Sequence, residues 1–427
     1  EINDLHKQML RTSAKVAAMA RDPADRGDAH DPAREAAVEV ATDQLYRGQS
    51  NDCYWHGLFG GIYISHMRAA TFAALIAAED AADAALGTLD AAEQADLDLD
   101  GRDELLLANA GEVVTVDLDE GGGIGSWDLR AARHAVGAVL RRRPEAYHER
   151  LRALDAPEAS AAATAATVST PDGGPDGESG PERPASSIHD GTKAKEAGLA
   201  GRLVYDDYER RSGLIRALDP GDGPAGWRAG GGPDLGDPAA PMTVRELGRG
   251  RVVLTGDSRI AGQAVRIEKE LQLGGGRLDP SLALAVTVEH RGDAPISARL
   301  GLEWVSTMLG GGANPAAWWE IAGRRGSHDG AGQAEQVGGV AQGNDWLGIT
   351  IDTIIEPAAD AWWAPIETVS NSEAGVERAY QGSALLVSMA VELAPGQRWT
   401  LRLEHRVSTR QDRAEDGNSS EPKPASG

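Results

Sequence analysis

The sequence predicts a multidomain chain, a three-helix bundle followed by a large antiparallel β-sandwich. Three observations predict it. Apolar residues recur at helical spacing as far as about residue 86. From Asp96 the pattern changes to short apolar or alternating runs separated by Gly, Asp and Pro. A length of 427 residues leaves room for two cores.

The first helix is carried by Leu5, Met9, Val16 and Ala20, and Arg21-Asp22-Pro23 ends it. Asp31-Pro32 pairs a cap residue with Pro at the first helical position, and the stripe Ala37, Val38, Ala41 and Leu45 follows up to a stop at Gly48. Ser65 is expected to cap a third helix with an inner face of Met67, Thr71, Leu75, Ala78, Ala82 and Leu86. The predicted strands lie in Leu105–Leu107, Val113–Leu118, Val252–Thr255, Val265–Leu273, Leu282–His290, Ala298–Val305, Trp346–Ile354 and Leu385–Leu393. These patterns place the bundle in 1–90 and the sandwich in 91–410. A run of Ala, Pro, Gly, Ser, Thr and Asp over about 155–187 reads as a disordered insertion, and 411–427 as a disordered tail.

Charge narrows the partners. The formal charge is −24, which argues against a nucleic-acid partner. A single Cys excludes an intrachain disulfide and fits a reducing, cytoplasmic compartment. No apolar run reaches membrane length, so no membrane partner is expected. The chain opens on Glu1 inside what reads as helix, and a preceding N-terminal part is expected.

Between the second and third helices lies Gln49–Gly61, QSNDCYWHGLFGG. It contains the chain's one Cys (Cys53) and one of its two Phe (Phe59). Tyr54, Trp55 and His56 stand beside Asn51 and Asp52. Flat rings cover the C–H face of a sugar, and amide, carboxylate and imidazole groups fix its hydroxyls. The alternative is a structural loop anchor.

Other signals are weaker. Asp96, Asp98 and Asp100 with Gly101 match the first half of a calcium loop, but the twelfth position is Leu107, so a solvated strand edge is favoured and no cofactor is expected. Glu145-x-x-His148 has metal-motif spacing without a second copy. Cys53 near His56 reads as a buried thiol rather than a nucleophile. In Trp318-Trp319 and Trp362-Trp363, alternation predicts one indole inside and one outside, the outer ones facing sugar or a domain interface.

Taken together, LHKQML (Leu5–Leu10), Gln49–Ala70, Leu97–Asn109, Arg142–Leu151, Ser187–Leu199, LVYDDYERRSGL (Leu203–Leu214), GLEWV (Gly301–Val305) and PIETVSNSEAGVERAYQGS (Pro365–Ser383) resemble the C-terminal half of glycoside hydrolase family 57, its 4-α-glucanotransferases and α-amylases. The resemblance implies a galactose-mutarotase-like supersandwich after the bundle. It implies a retaining reaction on α-1,4-glucans or maltooligosaccharides, carried by a Glu and an Asp on an N-terminal barrel outside these residues. No catalytic residue is therefore expected here. By the same match Trp55 would stack on a glucose ring at the cleft edge, and Asn51, Asp52 and His56 would hydrogen-bond hydroxyls or brace the catalytic carboxylates, with Tyr54 beside them. The alternative is a stand-alone carbohydrate-binding protein without a barrel.

Overall fold

A computed structural model describes residues 2–21, 32–55, 61–154, 194–229, 234–372 and 375–410. The expected insertion over 155–187 and the tail from 411 lie outside the described residues.

Three helices open the chain: α1 (Ile2–Ala20), α2 (Pro32–Gly48) and α3 (Ser65–Leu86). Leu5, Val16, Met19, Ala41, Leu45, Leu75 and Ala78 form their shared core. Met19 is buried in α1 where Ala20 was expected. Gly48 is the last residue of α2 and lies against α3, where a Cβ would come 2.5 Å from Leu75 Cδ2. Ser65 begins α3 but makes no capping hydrogen bond, the cap position being Ile64. The α3 helix is buried beyond its expected stripe, at Arg68, Phe72, Ile76, Glu79 and Asp83. That wider burial arises because the bundle leans on a small sheet.

This small sheet has five antiparallel strands in sequence order: β1 (Ala91–Ala95), β2 (Glu104–Ala108), β3 (Glu112–Asp117), β4 (Gly123–Leu129) and β5 (His134–Ala135). A short helix, α4 (Ala146–Leu154), follows it.

The large sheet has one layer in the order β17 (Arg398–Thr409), β10 (Pro280–His290), β9 (Gln263–Gly275), β8 (Arg251–Ile260), β7 (Thr243–Gly248). The other layer joins β16 (Gly375–Leu393), β11 (Ile296–Ser306) and β6 (Leu214–Leu218). The long strand β15 (Ile349–Ser372) ties the layers together: Ile349–Glu356 pairs with β17, and Asp360–Ser372 with β16. Strand β14 (Gly332–Asn344) flanks both halves of β15, and β12 (Ala317–Ile321) and β13 (Arg324–Ser327) extend that edge.

Alternation explains the sandwich. Leu282, Leu284, Val286 and Val288 of β10 point inward with Leu401 and Leu403, and meet Leu300, Leu302, Trp304, Leu385 and Val387 from the facing layer. The same core takes in Leu105, Val114 and Trp127, so the small sheet and the sandwich share one apolar interior.

The tryptophan pairs correct one expectation. Their alternation holds, but the outer face is roofed. Trp319 lies in the core, stacked on His328 at 4.4 Å. Its partner Trp318 is only 8% exposed, under the Arg325 guanidinium at 4.1 Å, with its indole N–H donating to Asp345 at 3.0 Å. Trp362 is buried against Trp227 of α5 (Pro224–Arg228) beneath Arg299, and Trp363 packs across Gly332. The run expected from Trp346 starts as a strand only at Ile349, leaving Trp346 on the preceding turn, 61% exposed.

Candidate functional site: the loop between the second and third helices

Asn51–Cys53 forms a single 3-10 turn directly after α2. Cys53 points into the bundle core, and burial raises its thiol pKa, so it is not an activated nucleophile. The Tyr54 hydroxyl donates to the Gly48 carbonyl at 2.5 Å, and its ring meets His6 edge-on. This folds the segment back over the end of α2. Tyr54 is half-buried, whereas Asn51 and Asp52 are exposed and Trp55 is 44% exposed. Ser50 donates to Asp52 at 3.1 Å.

The loop is closed at its base. The Ile62 N–H donates to the Trp55 carbonyl at 3.2 Å. Gly61 sits at φ +49°, where a Cβ would come 2.2 Å from that carbonyl oxygen, so glycine is required. His56 and Phe59 lie outside the described residues. Of the five expected contact residues, Asn51, Asp52, Tyr54 and Trp55 are thus brought together on one turn, three of them open to solvent.

Behind the turn is a joint that the sequence reading missed. Arg68 of α3 is 2% exposed and Gln381 of β16 is fully buried. Arg68 donates to the carbonyls of Ile62 (2.6 Å), Ala138 (3.2 Å) and Gln381 (3.2 Å), and to the Gln381 side-chain oxygen at 2.9 Å. The Gln381 amide nitrogen donates to the Tyr63 carbonyl at 3.0 Å, and the Tyr63 hydroxyl donates to Glu145 at 2.5 Å. In sequence Glu377–Gly382 is polar and turn-like, and reads equally as hydrogen-bonded structure; the second reading is the one observed. It forms part of β16, and its polar side chain is buried because it anchors the loop. In sequence Gln381 is one polar residue among several that precede the apolar run from Ala384, so nothing local marks it as buried.

Other expected motifs prove architectural. His148 Nε2 lies 2.9 Å from the Val369 carbonyl, while Nδ1 accepts the Glu145 N–H at 3.1 Å. Both ring nitrogens are occupied and burial lowers the pKa, so the ring is a neutral brace. Within LVYDDYERRSGL and GLEWV, Asp206 accepts from Arg142 (2.6 Å) and Arg210 (2.5 Å), and buried Glu303 accepts from Arg210 (2.5 Å) and Arg216. Burial would raise the Glu303 pKa, but the two guanidinium groups hold it low and ionised.

Among the described residues, those that could hold a cation are Asp96, Asp98 and Glu104, whose oxygens lie within 4.8 Å of one another. Burial raises Glu104 to about 7. Asp96 accepts the N–H groups of Asp100 and Gly101, and Glu104 those of Leu97 and Asp98, so these carboxylates already brace the loop backbone.

Comparison with known proteins agrees with this architecture. Residues 96–403 match the family model "Alpha-amylase/4-alpha-glucanotransferase, C-terminal", and residues 1–82 match the middle-domain model of the same family. Alpha-amylase 1 of Dictyoglomus thermophilum is 26% identical over 93% of this chain and 52% of its own length. The 4-alpha-glucanotransferase of Thermococcus kodakarensis is 27% identical over 92% of this chain and 49% of its own length. The crystal structure of 4-alpha-glucanotransferase from Thermococcus litoralis aligns with a TM-score of 0.67 at 20% identity, covering 96% of this chain and 49% of that one. The chain thus spans about half the length of the curated relatives it matches. With both family models in chain order across the bundle and the sandwich, this protein belongs to the alpha-amylase/4-alpha-glucanotransferase family, of which it carries the middle and C-terminal portions.

Proposed function

We propose that this chain is the helical and sandwich portion of an enzyme acting on α-1,4-glucans, and that it contributes carbohydrate binding at the edge of an active cleft. The chemistry belongs to carboxylates on a catalytic barrel outside these 427 residues, the partner against which the Asn51–Trp55 turn would close. The observation that carries this reading is Trp55: a part-exposed indole on a loop pinned at its base, beside exposed Asn51 and Asp52. An aromatic face with adjacent amide and carboxylate groups suits a sugar ring and its hydroxyls. These groups would place the acceptor rather than form a covalent intermediate. The compartment consistent with this reading is the cytoplasm; among the described residues no helix is long and apolar enough to cross a membrane.

Two measurements test it. Maltooligosaccharides incubated with this chain should show neither redistribution of chain length nor new reducing ends. Turnover would place the chemistry inside these residues and overturn the proposal. Calorimetric titration with maltoheptaose should show binding that Trp55→Ala weakens about tenfold, the scale of one lost stacking contact of about 1.4 kcal/mol. An unchanged titration would remove the turn from the binding surface.

A further inference from the structure

A second aromatic surface lies away from the Asn51–Trp55 turn. The outer side of α3, at His66, Ala69, Ala70 and Ala73, faces the turn Asp345–Gly348 across a cleft of about 610 Å³. That volume is within the roughly 300–1,000 Å³ typical of small-molecule sites. Alanines make the floor low. One wall is Trp346, 61% exposed, and Arg133 and Arg410 also line the cleft.

The indole is held on a fixed turn. Asn344, fully buried, accepts the N–H groups of Trp346 (2.8 Å) and Leu347 (3.0 Å) and donates to the Met308 carbonyl at 2.7 Å. The Asp345 N–H donates to the Ala316 carbonyl at 2.9 Å. A buried amide spent on aiming an exposed tryptophan is an arrangement that packing alone does not explain, since the ring covers little of the core.

The polar groups suit hydroxyls. Among the described residues the side chains of His66, Arg133 and Arg410 make no hydrogen bond or ion pair, in a chain where 66 acidic residues face 42 basic ones. Asp345 stands beside them as an acceptor, already engaged by Trp318 and Arg325. A sugar hydroxyl both donates and accepts, so a wall carrying both kinds of partner fits it. An anion would meet the Asp345 charge.

The cleft also continues toward the first turn. A neighbouring cavity of about 410 Å³ is lined by Ser50, Asp52 and Cys53 and shares Ala70, Ala73 and Arg133 with it. We propose that this groove along α3 is a further α-glucan subsite, in which one sugar ring stacks on Trp346 and the strand runs past Arg133 toward Asp52. This rests on the reading that the Asn51–Trp55 turn meets a glucan, and extends it by a defined path.

The test is calorimetric titration of the whole chain with maltoheptaose, comparing wild type, Trp346→Ala and Trp55→Ala, each with its thermal midpoint. Trp346→Ala should weaken binding about tenfold or more without moving the midpoint, because the ring is exposed. Trp346→Phe should recover part of the loss. Weakening by Trp55→Ala alone overturns the groove and leaves the first turn standing. Weakening by both variants supports the groove, whereas weakening by Trp346→Ala alone detaches the cleft from the Asn51–Trp55 turn and overturns the proposed path. Heat with pyrophosphate but none with maltoheptaose makes the cleft an anion site and overturns the proposal, as does the absence of any binding.

Discussion

Glu112 shows how far burial can move a single group. It is fully buried on β3, with one oxygen accepting the Trp127 indole N–H at 2.7 Å and the other without a partner. Burial pushes its pKa up to about 7. The folded state therefore holds this proton more tightly than the unfolded chain does. Its contribution is fully present below the unfolded value near 4.5 and is lost as pH rises through about 7. Glu112→Gln keeps a hydrogen-bonding side chain without the charge. Urea unfolding from pH 5 to 8 should show the variant gaining on wild type by about 2 kcal/mol as pH rises. A parallel pair of stability curves would show that the carboxyl titrates normally. Glu79 behaves in the opposite sense. Burial alone would raise it, yet Arg11 and Lys15 draw its pKa down to about 2. Neither direction is readable from the sequence, where each is one Glu among many.

Among the elements, the decisive contact is between α3 and β16. The helix supplies Arg68 and the strand Gln381, and between them they satisfy the carbonyls at the root of the loop. Arg68→Met keeps much of the apolar stem but leaves the Ile62 and Ala138 carbonyls without this donor. A lost buried partner costs roughly 1–3 kcal/mol per group, so the variant should unfold about 3 kcal/mol more easily by urea denaturation. It should also weaken maltoheptaose binding if the loop reads sugar, because the backbone from Ile62 to Tyr63 loses its anchor. A loss below about 0.5 kcal/mol would mean that solvent replaces the guanidinium at no cost, and the joint would not be structural. Sequence spacing placed α3 and predicted a strand near Leu385–Leu393. It could not pair them, since 313 positions separate Arg68 from Gln381. Two strands of the sandwich edge were missed for a related reason. β12 and β14 are rich in Gly, Gln and Trp and become strands by pairing, β14 with β15 and β12 with β14, rather than by an apolar alternation of their own.

At the scale of the whole molecule, the bundle and the sandwich are tied through the small sheet. Gln8 donates to buried Asp128 at 2.7 Å, Arg130 pairs with Asp83 at 2.8 Å with both side chains 1% exposed, and Arg211 reaches Asp4 at 2.7 Å. Lys269 of β9 enters the same region, its amino group donating to the carbonyls of Gly121 and Gly213 at 2.7 Å each, with burial drawing its pKa down to about 7. Buried polar groups and ion pairs like these are costly to leave without their partners, which favours loss of the whole set together. Scanning calorimetry should therefore show one principal transition for the bundle and the sandwich. Two well-separated endotherms would show that this interface does not couple them.

The order of architectures is legible in the amino-acid pattern, because the change from helical spacing to strand alternation is a local property of the chain. The sequence also singled out the Gln49–Gly61 segment, whose composition is unlike its surroundings, and eight motifs in family order. Which indoles face water was settled by long-range packing. Trp318 and Trp362 lie on outer strand faces yet are roofed by Arg325 and Arg299, while Trp346 and Trp55 stand on turns and stay about half exposed. Periodicity gives the side of a strand to which a ring points. Whether another part of the chain then lies over that side depends on contacts between distant residues, and those are set by packing.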